Sequence, residues 1–140
     1  MAFQGYLIKV GTGQSAVEVP MKYIRYTSYK VTPDQRMEWS AERDTTGVLH
    51  RETVPNKPPK IEFETPYIYN KDVDALNALI RSKYTIAQER KLNITYYDPE
   101  EDNYKTAACY MPDVNYKIYN VDSANNVILY EPLRYAFIGY

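Results

Sequence analysis

The chain carries a single imidazole, His50, and a single thiol, Cys109. Brought together they would form a thiolate–imidazole couple for nucleophilic catalysis. Their settings argue against it. Cys109 falls within an alternating strand pattern, where a cysteine serves as a small buried hydrophobe. His50 falls in a long irregular stretch that gives a general base no fixed geometry. One His excludes a His-rich metal site, and one Cys excludes an internal disulfide. Gly11-Thr12-Gly13-Gln14-Ser15-Ala16 opens like a dinucleotide fingerprint, but a pyrophosphate needs a helix N-terminus next. Val17-Glu18-Val19-Pro20 reads as a strand instead, so these glycines make a turn. Asp98, Glu100, Glu101 and Asp102 gather carboxylates. Pro99 interrupts them and no Gly supplies the sharp bend of a calcium loop, so they read as a solvated hairpin turn. Asn93-Ile94-Thr95 has glycosylation spacing and reads as plain strand. The expectation is no catalytic residue, no cofactor and no metal site.

A different chemistry stands out. Sixteen of 140 residues are Tyr, more than one small core can hold. Tyrosine combines a large apolar ring with a polar tip and is favoured at interfaces. Adjacent pairs such as Tyr96-Tyr97 must face opposite sides of a strand, so one of each pair points away from the core. Several tyrosines are expected to cover a subunit interface; a Tyr-lined sugar-binding surface is the competing reading. The net charge of -1 lacks the basic footprint of a nucleic-acid binder. No apolar run approaches the ~18 residues of a membrane helix. The segment Met1–Gly5 lacks the basic start and apolar stretch of a signal peptide, so folding in a reducing cytoplasm is expected.

The elements that position these residues are mostly strands. The dominant period is two, in Tyr, Ile, Val and Thr. Residues 6–10 and 17–19 read as a small hairpin, and Tyr23 to Val31 as a strand block closed by Pro33. Residues 35–40 continue as an extended piece. Residues 40–59 show little periodicity and hold three Pro, one Gly and charges of both signs. Irregular stretches beyond ~12–15 residues are uncommon in compact domains unless functional or disordered. A long arm that orders against a partner is the reading here, carried by Glu42, Arg43, Asp44, Thr46, Gly47, Val48, Leu49, His50 and Arg51; a floppy hairpin loop is the alternative.

Lys60 to Glu64 alternates cleanly as a strand. Asn70-Lys71-Asp72 opens a helix, capped by Asn or Asp, whose Val73, Leu76, Leu79 and Ile80 need a sheet face to cover. Lys91–Tyr97 and Tyr104–Met111 make a hairpin with Leu92, Ile94 and Tyr96 on one face. Val114 to Val121 is a further strand. Residues 127–130 and 133–137 form a last strand interrupted by Pro132, bent or at an edge. The fold class is mainly β (α+β): a single domain over residues 1–140, an antiparallel β-sandwich or open barrel with one flanking helix.

Several stretches also share an order with a known family. They are Gly5 to Gly11, Val19-Pro20 with Lys22-Tyr23-Ile24, and Ser28 to Pro33. Arg43-Asp44 with Gly47 to Arg51, and Lys60 to Pro66, follow. Together they resemble small tail proteins of long-tailed bacteriophages and prophages of Gram-positive bacteria. The resemblance implies a virion tail component with a tail-tube-like fold and no enzymatic activity. It implies rings, expected to be hexameric, that stack into or cap the tube through which DNA passes, with the long loop reaching the neighbouring ring. Partners would then be further copies of the chain and neighbouring tape-measure, baseplate or terminator proteins, without sequence-specific nucleic acid and without a membrane. A tail-tip, baseplate-hub or distal-tail position, or a carbohydrate-binding module on the tip, is the alternative. The mildly acidic chain suits a lumen that must not hold DNA.

Overall fold

The computed structural model describes residues 3–140. Its strands are β1 (Ile8–Val10), β2 (Val17–Glu18), β3 (Lys30–Thr32), β4 (Glu38–Arg43), β5 (Leu49–Thr53), β6 (Lys60–Glu64), β7 (Ile68–Tyr69), β8 (Lys91–Asp98), β9 (Asn103–Tyr110), β10 (Ile118–Asp122), β11 (Val127–Tyr130) and β12 (Arg134–Gly139). One α-helix, α1, spans Asn70–Arg81. The fold is mostly β with antiparallel sheets and one helix.

Seven strands form the main sheet, in the order β2-β1-β8-β9-β12-β6-β3. Alternation decides which face is covered. Ile8 and Val10 on β1, Ile61 and Phe63 on β6, Leu92, Ile94 and Tyr96 on β8, and Tyr135 and Phe137 on β12 are all buried. They join one core with Val73, Leu76 and Ile80 of α1, and Leu79 packs partly buried against it. The opposite face carries Lys9, Lys30, Lys60, Lys91 and Arg134 against Glu18, Glu62 and Glu64, judged from the cross-strand register. Cations outnumber anions there, so this face does not provide the acidic lining that net charge suggests.

A smaller sheet, β10-β11-β7, joins the large one through two strands that change sheets side by side. β6 becomes β7 across Thr65-Pro66-Tyr67, and β11 becomes β12 across Glu131-Pro132-Leu133. Neither proline can donate to a ladder, so pairing breaks at both. Buried Thr65 bridges the break: its N–H donates to Leu133 O at 2.9 Å, and its Oγ1 accepts Leu133 N–H at 3.0 Å. The stretch expected to be one bent last strand is therefore two strands in two sheets. Moreover, β12 is interior, between β9 and β6, and not an edge.

Two other expectations change. Residues 23–31 do not form a continuous strand. Met21–Tyr23 and Tyr26–Ser28 are 3-10 turns, and β3 begins only at Lys30. The turns seat Tyr23 and Ile24 in the core while Tyr26 stays outside; tertiary packing overrides the strand preference of Tyr and Ile. Nor does a side chain of Asn or Asp cap α1. Tyr69 occupies that position without a side-chain cap. Asn70 Oδ1 instead accepts the N–H of Ile128 at 3.2 Å, which ties the helix to β11.

The C-terminal strand leaves no room at Gly139. A Cβ there would fall inside contact distance of Pro59 Cδ and 3.0 Å from Pro58 Cβ. The Gly139 N–H also donates to Pro59 O at 2.7 Å. Gly139→Ala is therefore expected to cost about 1–3 kcal/mol, the usual range for overpacking. A lowered urea midpoint with an unchanged slope is the expected readout; an unchanged midpoint would count against this close approach.

Candidate assembly surface

The residues with catalytic potential do not converge. Cys109 is fully buried on β9, and burial pushes its thiol from 9.0 up to about 12. His50 lies exposed on β5 with its Nε2 2.9 Å from Asp44 Oδ2. Gly13 begins a 3-10 turn followed by β2, so the glycine segment offers no helix N-terminus. Among the described residues no cluster of three or more His, Cys, Asp or Glu is arranged to hold a metal ion. The acidic turn differs from expectation at one residue. Asp98 is completely buried, pairing with Lys105 Nζ at 2.9 Å and accepting Glu100 N–H at 2.9 Å. Glu100, Glu101 and Asp102 remain exposed. The buried carboxylate sets the turn, and the other three face water.

The segment read as an irregular arm holds a β-hairpin, β4–β5, with one register irregularity between Glu38 and Ser40. Among the described residues β4 and β5 pair only with each other, as a separate two-stranded sheet. Arg43 lies opposite Leu49, Glu42 opposite His50, and Ala41 opposite Arg51. The turn is built locally. Asp44 N–H donates to Val48 O at 2.9 Å, and Gly47 N–H to Asp44 O at 3.0 Å. Gly47 has φ +88, the left-handed position of a three-residue hairpin loop. Asp44 Oδ1 accepts from the Thr46 N–H, the Thr46 hydroxyl and the Val48 N–H at 2.9, 2.6 and 3.1 Å. Arg43 Nη1 donates to Gly47 O at 2.8 Å. At the base Arg51 pairs with Glu38 at 2.5 Å. Asp44-Thr45-Thr46-Gly47 was the available signal: Asp at the first and Gly at the fourth position favour such a turn.

Every residue from 36 to 53 is exposed. Trp39, at a register irregularity in β4, is 79% exposed, and Met37, Val48 and Leu49 are exposed too. An indole in water gives up a large part of the burial free energy that a Trp side chain can supply. The edge strand β10 adds Ile118, Tyr119 and Val121, all more than half exposed. Edge strands with apolar side chains on view are templates for pairing with another chain. The tyrosines divide as expected: Tyr6, Tyr23, Tyr96 and Tyr135 are buried, while Tyr26, Tyr67, Tyr69, Tyr116, Tyr119 and Tyr140 are exposed. Tyr67 and Tyr119 meet edge-on at 5.0 Å between ring centres.

Two outcomes are expected in solution. Hydrogen bonds from Thr46, His50 and Val48 lower the Asp44 carboxyl from 3.8 to about 2. A depressed carboxyl supports the folded turn above its ordinary pKa, and that support is lost as pH falls toward 2. Carbon NMR should give an Asp44 midpoint near 2; a midpoint near 4 would contradict the turn geometry. Cys109 at about 12 holds on the order of 1,000-fold less thiolate at neutral pH than an unshifted thiol. A thiol reagent should spare the native chain and label the denatured one; rapid native labelling would contradict its burial.

Comparison with known proteins agrees with the architecture. A solved chain from "Tail of empty GTA particle computed with helical refinement, C6 symmetry" has a similar fold, with a TM-score of 0.51 and 15% identity. The likeness covers 99% of this chain and 96% of that one. No curated protein matches the chain. A family match extends over residues 1–140, and by it the chain belongs to the family described as "Family of unknown function (DUF6711)".

Proposed function

We propose that this chain is a structural subunit of a phage-type tail, assembling with copies of itself into rings that stack into or cap the tail tube. The observation that carries the reading is the β4–β5 hairpin with its flanks: eighteen consecutive exposed residues, internally hydrogen-bonded, none of which is buried against the rest of the described chain. A free two-stranded hairpin is marginal in water, so a partner surface is the physical complement that this ribbon lacks. The apolar edge strand β10 supports the same reading, because ring closure between subunits covers edges. The GTA tail chain of similar fold belongs to a particle with C6 symmetry, which favours six copies per ring.

In this reading the hairpin, with Trp39, Val48 and Leu49, reaches a neighbouring ring. Glu42, Arg43, Asp44, Thr46, Gly47, His50 and Arg51 hold its shape and charge pattern. Val73, Leu76, Leu79 and Ile80 keep α1 seated while the outer surfaces engage neighbours. Further partners are tape-measure, baseplate or terminator proteins in the virion tail. The reading assigns the chain no catalytic role, no cofactor and no membrane contact.

The test removes the ribbon where its ends already meet, since Val54 N–H donates to Met37 O at 2.8 Å. Residues 38–53 are replaced by two glycines. The shortened chain is expected to keep its circular-dichroism spectrum and melting temperature, and to lose rings or tubes in light scattering and negative-stain images. Assembly equal to that of the full chain would overturn the role of the hairpin.

A further inference from the structure

The β8–β9 hairpin has a charge polarity that the assembly reading leaves unused. At its open end, where β8 starts and β9 finishes, a cleft of about 450 Å³ is lined by Asn77, Arg81, Tyr84, Arg90, Met111 and Tyr116, among others. Two guanidinium groups line this cleft and no carboxylate does. Arg81, in the last turn of α1, is exposed, and its side chain has no hydrogen-bond or ion-pair partner among the described residues. Arg90 donates to Pro112 O at 3.3 Å and lies 3.5 Å from the fully exposed Asp113, a loose and solvated contact. Both cations lie near the Tyr84 hydroxyl and favour its ionised form, against the effect of burial.

Hydroxyl groups extend the donor set. Tyr135 OH donates to Asn77 Oδ1 at 2.8 Å, and Asn77 Nδ2 donates to Tyr116 OH at 3.0 Å. The Tyr116 hydroxyl also hydrogen-bonds with Tyr135, so the three side chains form one connected network along the cleft. Buried Met111 closes the floor. The cleft therefore offers two cationic forks and no carboxylate of its own, which suits a carboxylate.

At the closed end of the same hairpin stand Glu100, Glu101 and Asp102, all exposed. Lys105 answers Glu101 at 3.0 Å, and Tyr97 OH donates to Asp102 at 2.5 Å. Glu100 has no side-chain partner among the described residues. Eight paired residues separate the two ends, on the order of 26 Å at ~3.3 Å per residue. One chain thus presents an acidic knob and a basic socket at opposite ends of a rigid rod.

We infer that the Arg81–Arg90 cleft receives the acidic 99–102 turn of a second copy of this chain, in a head-to-tail contact. Such a contact is heterologous: it closes into a ring or runs on as a filament, and it fixes direction. The inference rests on the self-assembly reading and names a contact within it that does not involve β4–β5.

The experiment uses the full chain at low salt, with association followed by sedimentation velocity. Arg81→Glu and Glu100→Arg alter exposed side chains without partners among the described residues, so both variants should stay folded and melt within a few degrees of the wild type, the Arg81 reversal losing only the small helix-end contribution. Each is expected to weaken association about tenfold or more, and added salt should weaken the wild type in the same direction. Combined in one chain, the two reversals should recover a severalfold part of that loss. Either single variant associating like the wild type, a double variant no better than the singles, or a wild type that stays monomeric would overturn the inference. Rings that tolerate both reversals but fail without residues 38–53 would leave the assembly reading standing and remove this contact alone.

Discussion

The architecture depends on the place where two strands leave one sheet for the other. At Thr65 and Leu133 the ladder continues through a main-chain bond and a threonine hydroxyl, both fully buried. Pro66 and Pro132 flank the break and contribute no donor. Without the Thr65 hydroxyl, the Leu133 N–H would be a buried donor lacking its partner, which costs about 1–3 kcal/mol. From this crossing β7 leads directly into α1, and α1 covers the core face of the seven-stranded sheet. The helix, the small sheet and the closure of the core follow from one paired turn.

Tyrosine is used in two ways on this frame. In the core it supplies ring area while its hydroxyl reaches a partly buried partner. Tyr135 stacks on Phe63 at 5.5 Å and reaches Asn77, and half-buried Tyr29 donates to Tyr97 O at 3.0 Å. Burial holds both phenols neutral well above the usual range. On the outside the same side chain remains soluble as a monomer and still offers apolar area to a neighbour. The proposed assembly would draw on a residue tolerated both in water and in an interface. The exposed set on the small sheet, Tyr67, Tyr69 and Tyr119, lies beside the apolar edge of β10.

The β4–β5 hairpin and the β8–β9 hairpin illustrate contrasting solutions. β8 alternates buried and half-buried residues along its full length because the core takes every second side chain. β4 and β5 have no buried residue. Their order comes from the Asp44 turn, the Gly47 conformation and the Arg51–Glu38 pair, all solvent-exposed and individually worth little. An element held so weakly by itself and so fully exposed is suited to take its final geometry from a partner.

Periodicity made much of this legible. Lys60 to Glu64, Lys91 to Tyr97 and the stripe Val73, Leu76, Ile80 occupy the places that alternation and helical spacing assign, because one buried face imposes a repeat on the residues that fill it. The hairpin at 38–53 was not legible in that way, since a ribbon with no buried face carries no such repeat; its signal was the turn chemistry of Asp44 to Gly47. The 3-10 turns at 21–28 were hidden because Tyr and Ile fit a strand or a turn equally once their rings are buried. The sequence by itself determined the strands whose alternate residues fill the core, the helix stripe and the surplus of tyrosine. Only the tertiary structure decided that residues 127–137 divide between two sheets, that Asn70 ties β11 instead of capping α1, and that Arg81 and Arg90 share a cleft. Those outcomes depend on which distant backbone groups meet, and a local pattern of residues does not encode contacts across sixty positions of chain.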